Sequence, residues 1–341
     1  GQYCVGHEAF ITEKDLVNGK CRDHGQKPEI IEEENWFFKL SKYSKEIKKL
    51  IEKGDLEILP ESRKNEILSL LGEGLEDISF SRPKKDLSWG VPVPGDLESV
   101  MYVWADALSN YLLPEKYWPA DIHVIGKDIL RFHAAIWPGM LLSAGLKLPK
   151  KIFVHGFITV DGQKMSKTLG NVISPEDLVK KYGADAVRYY LLREIPSGED
   201  GDYSEEKFKE RYNGDLANGL GNFASRVLTL SEKLGEVKNS GKFDKTIAKK
   251  IEEVKKRVVE KLEEFKFHEA LAAIWDLVGY GDAYVNEKKL WEGDKKSEIL
   301  NAVVILENLA VLLKPFLPGT SEKITAAILS AKKIGPLFPR I

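Results

Sequence analysis

The hydrophobic pattern of the 341-residue chain changes near residue 204, from mixed strands and helices to helices alone. Short apolar runs at 99–104, 121–126 and 151–156 are typical of strands, and a helical pattern at 127–145 separates the last two. A strand, a crossover helix and a second strand form a parallel βαβ unit, with a crevice at the carboxyl ends of the strands. The pattern therefore predicts an α/β part followed by an all-α part.

Within the all-α part, roughly five amphipathic segments are separated by breaks at 235–243, 292–295 and 315–320. Helices joined by short breaks indicate a helix bundle. Helical spacing also occurs earlier, at 31–72, where apolar residues recur at intervals of three and four.

Between the two parts lies a short segment with strong turn and cap signals. Asp161 and Gly162 interrupt an alternating pattern, which predicts a tight hairpin turn. Ser174, Pro175 and Asp177 follow as a cap, a first-turn proline and a capping acid, so a helix should begin there.

Charge and composition exclude several classes of protein. The 51 basic and 53 acidic side chains give a net charge of −2, so any nucleic-acid contact must come from local patches. No run of eighteen apolar residues and no signal peptide is present, which argues against a membrane partner. Two cysteines, Cys4 and Cys21, suit a reducing compartment, and we expect a cytoplasmic protein.

A lysine-containing loop is the sharpest chemical signal in the chain. It runs from Lys164 to Asn171 with the sequence KMSKTLGN, directly after the predicted hairpin. Two lysines three apart, Lys164 and Lys167, can reach successive phosphate oxygens, while hydroxyl and backbone N–H groups supply further donors. The alternative for a lone Lys-x-x-Lys pair is an exposed basic turn.

The whole octapeptide resembles the Lys-Met-Ser-Lys-Ser loop of class I aminoacyl-tRNA synthetases, with Thr168 at the final serine position. The resemblance implies catalytic roles for Lys164 and Lys167, which would stabilise charge developing on the phosphates of Mg-ATP. It also implies an ATP site, whose residues would be His155, Gly156, Lys164, Met165, Ser166 and Lys167.

Two further segments, at 102–111 and 124–141, resemble the methionine pocket of the methionyl-tRNA synthetase family. Taken alone, their aromatic residues would more often be core residues. The resemblance implies that the methionine-binding residues are Trp104, Ala107, Tyr111, Asp128, Phe132 and His133. Aromatic rings suit a thioether, because sulfur makes favourable contacts with them and offers almost no hydrogen bonding. This chain has Leu108 at a position where some members of the family have proline.

The N-terminal pattern Cys4-x-x-His7 and Cys21-x-x-His24 has the paired spacing of a zinc site. The alternative is two free thiols and two surface histidines. The family often carries a zinc knuckle here with three cysteines and one histidine, so His7 replaces a cysteine. With four protein ligands, the zinc would be structural.

In the helical part, the resemblance implies an anticodon-binding site formed by Asn222, Arg226 and Trp291. Asn222 and Arg226 lie four apart and therefore share a helix face. An indole can stack on a splayed base, whereas a tryptophan without this resemblance would more often be packing.

One element of class I synthetases, His-x-Gly-His, does not occur among the six histidines of this sequence. In the family it precedes the zinc-bearing insertion, so we expect this chain to be the C-terminal portion of the enzyme. The early strands, part of the ATP site and the usual carboxylate for the methionine ammonium group would lie elsewhere. The missing half, covalently attached or separate, is then an expected partner.

The predicted fold class is α/β plus all-α. We expect the end of a zinc-knuckle insertion at 1–30, the second half of a Rossmann-like parallel-sheet catalytic domain at 31–200, and a helical-bundle anticodon-binding domain at 201–341. The implied function is methionine–tRNA ligase, which activates methionine with ATP and Mg²⁺ and transfers it to tRNA(Met). The alternatives are another class I synthetase, specific for leucine, valine or cysteine, and a non-catalytic tRNA-binding fragment.

Overall fold

The computed structural model describes residues 1–6, 9–11, 13–30, 34–113, 115–165, 170–234 and 244–341. The chain divides into two compact units. The first comprises Gly1–His123 and Asp128–Ile152, and the second comprises Val124–Lys127 and Phe153–Ile341.

The described strands are short. They are β1 (Gln2–Cys4), β2 (Ala9–Ile11), β3 (Leu16–Val17), β4 (Lys20–Cys21), β5 (Glu29–Ile30), β6 (Phe37–Phe38), β7 (Glu57–Leu59), β8 (Ile78–Ser79), β9 (Ser81–Pro83), β10 (Pro92–Val93), β11 (Asp96–Met101), β12 (Ile122–Gly126), β13 (Lys151–His155), β14 (Ile158–Val160), β15 (Gln163–Lys164) and β16 (Gly201–Tyr203).

The described α-helices are α1 (Ser44–Lys53), α2 (Glu61–Glu73), α3 (Val103–Ser109), α4 (Trp137–Ser143), α5 (Pro175–Tyr182), α6 (Ala184–Glu194), α7 (Glu205–Arg211), α8 (Asn222–Glu232), α9 (Lys245–Glu263), α10 (Phe267–Glu287), α11 (Lys296–Leu313) and α12 (Pro318–Ser330). Two π-helical segments, Phe132–Ile136 and Tyr212–Gly221, lead directly into α4 and α8.

The first unit holds several small antiparallel sheets. Strand β1 pairs with β2 and β5, β3 forms a hairpin with β4, and β11 lies between β9 and β10. The prediction of a strand at 99–104 was therefore wrong about its C-terminal end and about the direction of its neighbours. It ends at Met101 and is antiparallel to both neighbours, and helix α3 begins at Val103 because Ala105 and Ala107 favour a helix.

Strands expected at 121–126 and 151–156 are confirmed as β12 and β13, which join β7 in the order β12-β13-β7. The amides of Lys150 and Lys151 donate to the carbonyls of Ala120 and Asp121, so the two segments run in the same direction. The helical prediction for 127–145 holds, with a π-helical turn in its middle.

The prediction of helices over 31–72 was wrong in part. Helices α1 and α2 occur, but β7 lies between them, and the aromatic Phe37 and Phe38 form β6. Gly54, with φ 82°, ends α1 in the left-handed conformation that glycine adopts without a steric penalty.

In the second unit, the predicted hairpin is confirmed. Strands β14 and β15 are joined by Asp161 and Gly162, whose φ values of 49° and 74° are those of a tight primed turn. Strand β16 pairs in parallel with β14 on its other edge. The predicted helix start is also confirmed, since the Ser174 hydroxyl accepts a hydrogen bond from the Asp177 amide.

Five helical segments follow in the described residues, as predicted: the continuous run 205–232, then α9, α10, α11 and α12. The predicted break at 235–243 lies outside the described residues. Helix α10 packs against α9 and α11, and α11 packs against α8 and α12, around buried residues such as Phe223, Leu277 and Leu306. In the described part of the chain, no helix combines the length and apolar character needed to cross a membrane.

Candidate functional site

An aromatic cluster in the first unit collects most of the residues predicted to bind methionine. The rings of Trp104 and Phe132 are stacked, with centroids 4.1 Å apart and an interplanar angle of 17°. The imidazole of His133 meets Trp104 edge-on at 6.1 Å and Tyr111 at 5.5 Å. Helix α3 supplies Trp104, and the π-helical turn supplies Phe132 and His133. Single π turns within helices recur at functional sites.

Hydrogen bonds at both ring nitrogens fix the orientation of His133. Its Nδ1 lies 3.0 Å from the carbonyl of Ile129, and its Nε2 lies 2.8 Å from the hydroxyl of Tyr111. Because a carbonyl only accepts, Nδ1 carries the hydrogen, and in the neutral ring Nε2 accepts from the Tyr111 hydroxyl. Burial lowers the pKa of His133, which favours this neutral form.

A second histidine, His123, belongs to the same cluster and was not predicted. Its ring lies 4.4 Å from Tyr111 and 5.9 Å from His133. Its Nε2 is buried and has no hydrogen-bond partner among the described residues. Burial and the neighbouring His133 lower the pKa of His123 to about 4. The cluster is therefore uncharged near neutral pH.

The other two predicted methionine-binding residues differ in setting. Ala107 and Asp128 are exposed, whereas Trp104 and Phe132 are half-buried. The structure thus brings the aromatic residues together around one spot, and it leaves Asp128 as an exposed carboxylate just after β12.

The segment leading to the lysine loop is held tightly at its start. Gly156 permits a close approach of two chain segments, because a Cβ there would lie 2.1 Å from the carbonyl oxygen of Glu199. His155 Nδ1 lies 2.9 Å from the Gly156 carbonyl, and Met165 is half-buried. The backbone of Lys164 pairs with Thr159 in the hairpin. Ser166 and Lys167 lie outside the described residues.

Three of the four predicted zinc ligands converge in the first unit. Cys4 Sγ, Cys21 Sγ and a His24 ring nitrogen lie within 4.8 Å of one another. The two sulfurs are 3.6 and 3.5 Å from His24 Nδ1. A tetrahedral zinc ion with ordinary bond lengths would hold sulfur and nitrogen ligands about 3.6 Å apart. The donor set therefore fits zinc, and His7 lies outside the described residues.

On the helical bundle, Arg226 and Trp291 are brought together. The guanidinium of Arg226 lies 5.7 Å from the ring centre of Trp291, and 53% of the Trp291 surface is exposed. Arg226 donates to Asp282 at 2.7 Å and to Asn286 at 2.6 Å. Asn222 is exposed one helical turn before Arg226 on α8.

Sequence reasoning missed the acceptors Asp282 and Asn286, and also the carboxylates Asp200 and Asp202 beside the hairpin. No motif marks these residues. Asp282 and Asn286 are four residues apart on a helix, which indicates that they share a face. This spacing alone does not indicate that they bind Arg226.

Comparisons with known proteins give a consistent result. A family model described as "tRNA synthetases class I (M)" matches residues 1–228, and one described as "Anticodon-binding domain of tRNA ligase" matches residues 244–336. A methionine–tRNA ligase of Caldanaerobacter subterraneus is 42% identical over 95% of this chain and 54% of its own length. One of Clostridium perfringens is 44% identical, with coverages of 96% and 54%.

Among solved structures, a methionyl-tRNA synthetase of Mycobacterium tuberculosis bound by methionyl-adenylate superimposes with a TM-score of 0.89 at 36% identity. The match covers 99% of this chain and 76% of that one. The chain spans about half the length of the curated relatives that it matches.

Proposed function

The chain belongs to the class I methionyl-tRNA synthetase family, and from that premise we propose that it serves the ATP-dependent joining of methionine to tRNA(Met). It would supply the methionine side-chain pocket, part of the ATP site and the anticodon-binding surface. The observation that carries this proposal is the neutral aromatic cluster of Trp104, Tyr111, Phe132 and His133, which forms on the segments that resemble the family's methionine pocket.

The chemistry of the cluster suits a thioether better than a polar or charged side chain. The stacked rings of Trp104 and Phe132 offer faces and edges to a polarizable sulfur atom. The polar atoms of His133 are already bonded to Ile129 and Tyr111, so they make no strong demand on a ligand. A pocket of this kind binds methionine largely through contact area and sulfur–aromatic interaction. Ala107 and Asp128 would line its exposed side.

The ATP site would include His155, Gly156 and the loop from Lys164 to Lys167. In the activation step, the methionine carboxylate attacks the α-phosphate, methionyl-adenylate forms and pyrophosphate leaves. Lys164 and Lys167 would stabilise the charge that develops on the phosphates. When bound with ATP, Mg²⁺ neutralises part of the triphosphate charge.

Zinc would be held by Cys4, His7, Cys21 and His24. The spacing of the three described donors supports this assignment. The ion would supply folding free energy rather than chemistry, because protein ligands fill its coordination sphere. Thiolate ligands of this type persist in a reducing compartment such as the cytoplasm.

Selectivity for methionine tests the pocket directly. Binding to the 341-residue chain is measured by isothermal titration and by tryptophan fluorescence, with methionine, leucine, valine and cysteine as ligands. We expect methionine to bind most tightly, and Trp104→Ala to weaken it at least tenfold because one stacked face is lost. Equal binding of leucine would contradict the assignment and favour another class I synthetase.

Activity is measured as ATP–pyrophosphate exchange. The chain is assayed alone and mixed with the part of the Caldanaerobacter relative that it does not cover. Lys167→Ala should lower kcat strongly and leave methionine affinity unchanged, because a phosphate-directed charge acts mainly in the transition state. An unchanged exchange rate in this variant would remove the lysine loop from the mechanism.

Recognition of tRNA is tested separately with exposed tryptophans. Stacking of one base on an aromatic ring contributes about 1–3 kcal/mol, so Trp291→Ala should weaken binding of tRNA(Met) about tenfold or more. Trp89→Ala is the matched control, because Trp89 is 77% exposed and lies in the other unit. Equal losses in both variants, or equal binding of tRNAs with unrelated anticodons, would contradict the roles of Asn222, Arg226 and Trp291.

A further inference from the structure

Asp200 and Asp202, just before and within β16, lie about forty residues beyond the β14–β15 hairpin in sequence, yet their carboxylates bond to residues in and next to that hairpin. Asp202 Oδ1 accepts a hydrogen bond from the Thr159 hydroxyl at 2.6 Å and another from the Gly162 amide at 2.8 Å. Thr159 belongs to β14, and Gly162 is the second residue of the turn. A single carboxylate oxygen therefore joins the strand to the turn that follows it.

Asp200 makes a similar connection where the hairpin begins. Its Oδ1 accepts from the Phe157 amide at 2.8 Å, and its Oδ2 accepts from Lys127 Nζ at 2.5 Å. The Lys127 ammonium also lies 4.5 Å from the centre of the Phe157 ring. This end of the hairpin is thus fixed by a salt bridge, a hydrogen bond from a backbone amide and a cation–π contact.

The hairpin needs such support because it is very small. Strand β14 has three residues and β15 has two, so the hairpin has few backbone hydrogen bonds even with β16 on its other edge. The Gly162 amide bonded by Asp202 lies two residues before Lys164. These bonds also lower the pKa of Asp202, so its carboxylate is charged and acts as a strong acceptor at neutral pH.

We propose that Asp202 is a positioning residue for the lysine loop, because through the Asp161–Gly162 turn it fixes the backbone of Lys164, where the loop begins. Asp200 fixes the other end and completes the support. The proposal rests on the function proposed above, since it assigns the loop to ATP. Displacing a catalytic group by about 1 Å can lower a rate about 100-fold, so loss of the turn contact should be visible in the activation step.

The test uses Asp202→Ala, which removes the acceptor, and Asp202→Asn, which keeps an amide oxygen of the same shape. Asp294→Ala is the matched control, because Asp294 is exposed in the loop between α10 and α11. In the pyrophosphate-exchange assay, we expect Asp202→Ala to lower kcat/KM for ATP 10- to 100-fold and to leave KM for methionine unchanged. Asp202→Asn should recover much of the loss, and Asp294→Ala should behave as wild type.

A second readout needs no activity. Hydrogen exchange followed by mass spectrometry reports on peptides that cover the turn and the lysine loop, and thermal unfolding reports on the rest of the chain. We expect Asp202→Ala to increase exchange in both peptides at an unchanged Tm. If wild type shows no pyrophosphate exchange even when mixed with the part of the Caldanaerobacter relative that it does not cover, the proposed function fails, and hydrogen exchange in the loop peptide alone decides the positioning role. The proposal would be overturned if Asp202→Ala left the ATP kinetics of an active protein unchanged. It would also be overturned if the variant left hydrogen exchange in the loop peptide unchanged.

Discussion

The aromatic cluster and the Cys/His cluster lie in the same unit, and they are held together in opposite ways. In the aromatic cluster, both ring nitrogens of His133 are bonded to protein atoms, and the stacked Trp104 and Phe132 complete the arrangement. In the Cys/His cluster, two buried sulfurs approach the same nitrogen of His24 at 3.6 and 3.5 Å. The first is organised by its own hydrogen bonds, whereas the second has the geometry of ligands around an ion.

The two clusters therefore differ in the source of their stability. A cluster organised by internal bonds keeps its shape without a ligand, and it can be ready for a substrate before that substrate binds. A cluster of ligand atoms gains stability from the ion, because binding free energy is then folding free energy. Three experiments test the contrast.

The largest effect is expected from Cys21→Ser. Structural zinc contributes about 10–16 kcal/mol of apparent binding free energy in zinc-finger peptides at neutral pH. We therefore expect about one zinc per chain in wild type, its loss in the variant, and a local loss of structure confined to residues 1–30. Elemental analysis gives the metal content, and hydrogen exchange locates the loss. If the variant kept its zinc, or if wild type contained none, the Cys/His cluster would not be organised by an ion.

The next largest effect is expected on acidification, through His123. Burial lowers its pKa from 6.5 to about 4, so the unfolded chain takes up a proton first as the pH falls. The stability present above pH 6.5 is then lost between pH 6.5 and 4, by up to about 3 kcal/mol, at about 1.4 kcal/mol for each unit of pKa shift. Denaturant unfolding of wild type and His123→Gln over this pH range measures this contribution. If the free energy of unfolding changed with pH in the same way in both proteins, His123 would not titrate as described.

The smallest effect is expected from Tyr111→Phe, which removes the donor to His133 Nε2. A buried acceptor left without its donor costs about 1–3 kcal/mol. We expect that loss in the free energy of unfolding, together with a weaker affinity for methionine. Tyr117→Phe is the matched control, because Tyr117 is nearby in sequence and 69% exposed. Equal effects of the two substitutions would mean that the hydroxyl bond does not organise the cluster.

Local signals in the sequence predicted local structure well. The Asp161–Gly162 turn, the Ser174 cap and the apolar runs that became β12 and β13 each depend on a few neighbouring residues. The expected strand through Trp104 failed, because an apolar run does not reveal where a strand stops pairing and a helix begins.

The site followed the same division. Cys4, Cys21 and His24 could be grouped from spacing alone, and the aromatic residues could be grouped from their resemblance to a family. His123, Asp200 and Asp202 could not, because their roles depend on contacts with residues distant in the sequence. No periodicity or motif encodes such pairings, which form only when the chain folds.

The π-helical segment Tyr212–Gly221 limits where residues can be deleted from the chain without reorienting the helix that follows. It lies within one continuous helical run, directly before the exposed Asn222 and the half-buried Arg226 on α8. Each residue of an α-helix turns the chain by about 100°. A single-codon deletion in this segment that restored regular α-helix would therefore rotate all of α8 by about a quarter turn. The length of this segment, more than its composition, sets which side chains face outward beyond it, so chimaeras should be joined elsewhere.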